Sequence, residues 1–325
     1  MGTKNKPNKP FKSYRQQLNL LRTRNLTIKD GSKAIEILKR NNYYNLINGY
    51  KDIFLSSKKP EIYFEGTTFE HINALSNFDK KIRHLFLYHI LTFENLIKTK
   101  ISYYHTREYD EIFNYLDVNN FNGRAKDITR LISTISNEIQ QQTSKENKNN
   151  ILHYIENHGE LPLWVLFQKS SFGTASYFFS NLQPKLKDII SDELNDEHNK
   201  RYNTKSIKFI EPKFLENTIH FINLYRNICA HNERMFLFSF QKKGYVVDYT
   251  KYTTMQFRGT VFDLLIILKL FLLKSEYKSL VSEFKDHFIR LEKELSDNKP
   301  AFLKIKNSYL KMPNDWENIL KIIWT

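Results

Sequence analysis

The scarcity of chain-breaking residues constrains this sequence more than any other feature: nine glycines and eight prolines are spread through 325 residues. Sandwiches and barrels need many tight turns, and those are the residues that make them. Here, long stretches without either carry apolar side chains at three- and four-residue steps, the spacing of one helical face. The expectation is an all-α protein. At 41% hydrophobic and 14% aromatic residues, the chain has material for a substantial core and is not mainly disordered.

The periodic stretches can be placed. Ser13–Arg24 and Gly31–Asn41 carry Leu18, Leu21, Ile35 and Leu38 at helical steps, with Asp30 suited to cap the second. Ser56–Thr68 reads as a loop or short extended piece. Phe69–His105 has Thr68 to cap it and Phe69, Ile72, Leu75, Phe78, Ile82 and Leu85 in step. Its length predicts two helices, or one kinked near Asn77. Ile128–Gln142 is amphipathic, and polar Gln140–Asn150 reads as an exposed loop. Within Leu161–Leu182 two helices are expected about a tight turn at Gly173, with Ser170 or Ser171 as a cap. Glu211–His231 reads as a helix with Pro212 in its first turn. Phe236–Phe240 and Tyr245–Tyr249 alternate weakly, as a hairpin would, and helices resume from Thr260 to the end.

Lys and Arg number 50 against 35 Asp and Glu, a net charge of +15. Such an excess favours polyanionic partners, although a Lys-rich chain is also simply well solvated. Tyr43, Tyr44 and Tyr50 beside Lys39, Arg40 and Lys51 suit either base stacking or packing between helices. The single cysteine, Cys229, excludes an intramolecular disulfide and any multi-cysteine zinc site. The pairs His84/His89 and His153/His158 are spaced five apart, about 140° around a helix, so no metal site and no cofactor are expected. The longest apolar stretch, Val261–Leu273, is interrupted by Asp263 and Lys269 and is shorter than the ~20 residues of a membrane span. Met1–Lys12 is polar and basic with no apolar run. A cytoplasmic protein without a membrane span is expected.

The stretch Leu224–Met235 reads L-Y-R-N-I-C-A-H-N-E-R-M. It brings Arg226, Asn227 and His231 to the end of a helix, followed by Asn232 and Arg234. Histidine exchanges protons near neutral pH, and the guanidinium fork suits phosphate oxygens. RNA self-cleavage needs these groups: a base for the 2′-OH, a cation for the phosphorane, and an acid for the departing 5′-oxygen. The RNA supplies the nucleophile, so the chemistry requires no metal. Spacing alone is weak support, because an Arg four to six residues before a His arises about once by chance in this composition. A second instance runs from Arg83 to His89.

Several ordered blocks carry more information. They are K-P-F-K-S-Y-R-Q-Q-L-N-L-L at Lys9–Leu21, N-N-Y-Y-N-L-I-N-G-Y at Asn41–Tyr50, G-T-T-F-E-H-I at Gly66–Ile72 and F-D-K-K-I-R at Phe78–Arg83. L-P-L-W-V-L at Leu161–Leu166, S-F-G-T at Ser171–Thr174 and R-N-I-C-A-H-N-E-R-M at Arg226–Met235 complete the series. In these blocks, over roughly residues 9–235, the chain resembles the Abi-like abortive-infection family of the AbiD/AbiF type, counted among the HEPN ribonucleases. The resemblance implies an all-α, HEPN-like helical bundle over residues 66–250, with a helical segment before it (1–65) and a helical extension after it (251–325). It implies a metal-independent endoribonuclease acting as a phage-defence toxin, with Arg226, Asn227 and His231 catalytic and Arg83, Asn232 and Arg234 in contact with RNA. Glu94 matches a recurring acidic position and is expected to partner a basic residue in the bundle. A homodimer that completes the site and a noncoding RNA antitoxin are the implied partners. The alternative is a non-catalytic RNA-binding module that holds a regulatory RNA or partner protein.

Overall fold

A computed structural model describes residues 10–144, 150–204, 208–241 and 256–324. In chain order the helices are α1 (Tyr14–Thr23), α2 (Gly31–Asn41), α3 (Phe69–Glu108), α4 (Ala125–Thr143), α5 (Asn150–His158), α6 (Leu163–Leu166) and α7 (Phe172–Asn181). They continue with α8 (Pro184–Tyr202), α9 (Pro212–Ala230), α10 (Val261–Leu268), α11 (Lys274–Glu294), α12 (Lys299–Lys304) and α13 (Trp316–Ile322). Among the described residues the only sheet is the antiparallel hairpin of β1 (Leu55–Lys58) and β2 (Glu61–Tyr63). The protein is all-α.

Local chemistry starts these helices. Ser13 and Gln16 close a reciprocal capping box on α1, and the Asp30 side chain accepts the Lys33 N–H at the start of α2. The Thr68 hydroxyl accepts from the His71 N–H at 3.3 Å, while the Thr68 N–H donates back to His71 Nδ1 at 3.2 Å, so α3 opens on a box with an imidazole in the usual Glu position. Of the two readings of the long stretch, the single helix is the one found: α3 runs uninterrupted, and its buried positions stay in phase from Phe69 to Ile101. Gly173 is not a turn between helices but lies in the first turn of α7, whose cap is Ser171; the separation is at residues 167–171. The expected loop at Gln140–Asn150 is helical to Thr143 and again from Asn150, and residues 145–149 lie outside the described residues. Ser56–Thr68 contributes most of the hairpin. Met235–Leu237 forms a short 3-10 turn in place of the expected strand, and its expected partner, Tyr245–Tyr249, lies outside the described residues.

The chain forms two compact units, each built from discontinuous stretches. The first comprises residues up to His84, Arg234–Phe238 and Ser282–Met312. Its centre is Asp79, fully buried, which pairs with Arg83 and accepts from the Tyr50 hydroxyl and the Phe236 N–H, each at 2.9 Å. Burial pushes the Asp79 carboxyl up to about 6, against the pull of Arg83. The Tyr50 and Phe236 rings stack over this cluster at 5.7 Å. Tyr50 is therefore core, whereas Tyr44 is exposed.

The second unit comprises Leu85–Glu233, Ser239–Val281 and Pro313–Thr325. Phe93 of α3 packs edge-on against Phe172 of α7 and Phe271, and α9 lies against α7 and α8. The most apolar stretch of the chain, α10, is wholly buried here. Both charges that interrupt it have structural partners. Asp263 closes a capping box with Thr260, and Lys269 Nζ donates to the carbonyls of Leu320 (3.0 Å) and Lys321 (2.8 Å) near the end of α13. No helix among the described residues is long and apolar enough to cross a membrane.

His105 sits in the same core, fully buried against Tyr109, Phe121 and Phe178 and with no hydrogen-bond partner for either ring nitrogen. Desolvation pushes its pKa down to about 4. The unfolded chain takes up this proton near pH 6.5 and the folded protein only near 4. Stability is thus complete above about pH 6.5 and falls by about 3 kcal/mol as pH drops to 4. Thermal unfolding of the wild type and His105→Phe across that range checks this. An equal acid loss in both proteins would rule out His105 as its source.

Candidate active site

Helix α9 carries the motif, and its buried positions determine which way the motif faces. Leu215, Ile219, Ile222, Tyr225, Ile228 and Cys229 are turned into the core, and the Tyr225 hydroxyl donates to the Gly259 carbonyl at 3.0 Å, which fixes the rotation of the helix. Arg226, four residues on from Ile222 and on the same face, and Asn227, about 100° further round, are half-buried. The thiol of Cys229 is buried.

Arg226 faces a carboxylate. Its Nε stands 3.5 Å from Glu94 Oε2, an ion pair without a completed hydrogen bond, since both atoms lack a hydrogen-bond partner. Glu94 Oε1 accepts from Lys98 Nζ at 2.6 Å, and the same ammonium donates to the Ser170 carbonyl at 2.7 Å. Burial of this carboxylate, at 7% side-chain exposure, is tolerable only because two cations face it. One anion against two cations leaves the cluster net positive. Arg226 is 30% exposed and, Nε apart, makes no contact with another charged group among the described residues. The arrangement therefore presents an oriented guanidinium to an incoming anion. It also draws three distant stretches together: α3, the turn that caps α7, and α9. Glu94 has the basic partner expected of it. Lys98 has no signature in the sequence beyond its four-residue step from Glu94, an ordinary helical salt-bridge spacing.

His231 is the C-cap of α9 and is exposed; its N–H closes the last helical bond on the Asn227 carbonyl at 2.8 Å. On a continuing helix, five positions would carry it about 140° from Arg226, but the helix ends here. Asn232 follows in the left-handed region (φ 58°), and the Glu233 N–H reaches back to the Ile228 carbonyl at 3.0 Å, the six-to-one bond of a Schellman ending. Asn232 thus terminates the helix directly behind His231. Asn232→Gly should be near-neutral in thermal unfolding, whereas Asn232→Val should cost about 1–2 kcal/mol. Equal stability of the two variants would refute this role.

Arg83 and Arg234 lie in the first unit. Arg83 is 4% exposed, pairs with Asp79 and donates to the Tyr50 hydroxyl at 3.4 Å. In this unit its charge neutralises a buried carboxylate. Arg234 is exposed and donates to the carbonyls of Asn48 (3.4 Å) and Gly49 (3.2 Å). His89, the second half of the alternative spacing, is buried on α3 beside Tyr88. No group of three or more His, Cys, Asp or Glu residues placed to hold a metal occurs among the described residues.

Fold and site together define an all-α protein with a cationic, anion-facing cluster and an exposed histidine at one helix end. The model of the Abi-like protein family matches residues 36–237, more than half of the chain and a span that runs from α2 through Glu94, Ser171 and the whole Arg226–His231 motif. The chain belongs to this abortive-infection family. No curated protein and no solved structure shows significant similarity to it.

Proposed function

We propose that the protein is a phage-defence ribonuclease of HEPN type that cleaves RNA by transesterification, leaving a 2′,3′-cyclic phosphate and a 5′-OH. The observation that carries this reading is the Glu94–Lys98–Arg226 cluster, which holds a guanidinium toward solvent in the same motif as an exposed imidazole. Arg226 neutralises the phosphorane, His231 transfers the proton, and Asn227 orients the phosphate or one of these groups. In-line displacement needs a base and an acid on opposite sides of phosphorus. One chain offers one such histidine in its motif, so two chains supply a composite site, each giving one Arg226 and one His231. The net charge of +15 favours capture of the RNA.

The test is cleavage of an end-labelled, structured RNA in EDTA by the wild type, His231→Ala and Arg226→Ala. Cyclic phosphate ends that disappear in both folded variants support the reading. Salt-sensitive RNA binding without cleavage would favour a non-catalytic RNA-binding module instead.

A further inference from the structure

The charge of the protein is divided unequally between its two units. The first holds 25 Lys and Arg against 12 Asp and Glu, a balance of +13, whereas the second holds 25 against 23, or +2. The Arg226–His231 motif belongs to the second. The excess that favours a polyanionic partner is therefore carried by the unit without the motif.

Within the first unit the imbalance is steepest at α1 and the residues before it. No Asp or Glu precedes Asp30, while eight Lys and Arg do. Two of the eight are neutralised by ion pairs, Arg24 with Glu61 and Lys29 with Asp297. Lys12, Arg15 and Arg22 are exposed and make no ion pair among the described residues. Arg15, Asn19 and Arg22 follow steps of four and three along α1, so they share one exposed face. Arg22 Nη1 donates to Asn19 Oδ1 at 3.0 Å, which holds its guanidinium along the helix. Arg15 lies two turns away, roughly 10 Å, far enough to meet a different phosphate of the same strand. Aromatic rings are interleaved with these cations: Phe11 is 90% exposed just before Lys12, and Tyr14 is exposed beside Arg15. Exposed rings among cations are what unpaired, stacking bases require.

Two simpler readings fit less well. A surface charged only for solubility intersperses both signs, as α8 does with its lysines and carboxylates, whereas α1 has no acidic residue. An anionic membrane would need a free apolar helix face to insert, and that of α1 is already used, since Leu18 and Leu21 are buried.

We infer that the stretch from Phe11 to Arg22 is a binding surface for single-stranded RNA, with Lys12, Arg15 and Arg22 on phosphates and Phe11 and Tyr14 on bases. The identity of the polyanion rests on the ribonuclease reading.

The test uses the intact protein and a single-stranded 2′-O-methyl oligoribonucleotide, which lacks the 2′-OH nucleophile and is not consumed. Affinity is read by fluorescence anisotropy at several salt concentrations, with anionic lipid vesicles as a second probe. Arg15→Gln/Arg22→Gln should weaken oligonucleotide binding about tenfold at physiological salt. The slope of log K against log salt should become shallower by about 1.4, the loss of two phosphate contacts on a single strand. Phe11→Ala should weaken binding about fivefold or more with the slope unchanged, as loss of one stacked base does. The control Lys126→Gln/Lys278→Gln removes the same charge from exposed positions of the second unit. It should bind within about twofold of the wild type, because distant charges are screened. All five positions are exposed and glutamine is a good helix former, so every variant should melt with the wild type.

No binding by the wild type, equal losses in the α1 variant and the control, unchanged affinity in the folded α1 variant, or capture of vesicles in place of the oligonucleotide would overturn the surface. Cleavage of ordinary RNA in EDTA is read in parallel. Cleavage together with binding that is indifferent to α1 sinks the surface alone. Binding that depends on α1 in a protein that cleaves nothing sinks the ribonuclease reading alone.

Discussion

His231→Ala should lower metal-free cleavage of a structured RNA by about 10²–10⁴-fold, the usual loss when a general acid–base is removed. Its side chain is exposed at a helix end, so the fold should be indifferent to the change. Arg226→Ala should cost about 10²–10³-fold, the scale for loss of one preorganised charge-stabilising group, and Arg226→Lys should recover only part of it because the planar fork is gone. A mixture of His231→Ala and Arg226→Ala chains checks the composite site. Two motifs that each need every group would leave the mixture inactive, whereas a site that takes single groups from each chain would regain a fraction of wild-type cleavage. Wild-type rates for purified His231→Ala would remove this residue from the mechanism.

Glu94→Leu should have the largest effect on stability. It leaves the Lys98 ammonium and the Arg226 guanidinium facing each other without the carboxylate between them, and breaking a buried pair in this way costs about 3–5 kcal/mol. The melting temperature should fall by roughly 10 °C. The double variant Glu94→Leu/Lys98→Met separates the two roles of the carboxylate. An apolar pair of similar volume should recover most of the stability, but Arg226 would still lack the group that orients it, so cleavage should stay low. Full recovery of cleavage with stability would make Glu94 a purely structural residue.

Much of the helix layout was legible because its signals are local. Asp30, Ser13, Ser171, Pro212 and Thr260 mark helix starts through atoms within three or four residues of one another. Two further points needed the tertiary structure. The long stretch of α3 could have been interrupted on length alone, and burial along its whole apolar face keeps it continuous. Gly173 resembled a turn because glycine so often makes one; here it keeps the approach of α7 to α9 open beside Asn223.

The site divides in the same way. Arg226, Asn227 and His231 share one helical turn and its cap, so their association is covalent and readable from spacing and from the blocks that resemble the family. Glu94 was visible as an acidic position, but its pairing with Arg226 lies more than a hundred residues away along the chain, and only the packing of α3 against neighbouring helices brings the two within 3.5 Å. Arg83 is a different case, since its charge is paired with Asp79 inside the first unit. The sequence by itself determined where helices begin, which faces are apolar, and that a proton-transfer group and a cation close α9. The tertiary structure alone decided which charges neutralise one another and which remain for a ligand. Burial removes water as a partner, and each buried charge must then find its counter-charge wherever the fold has put one.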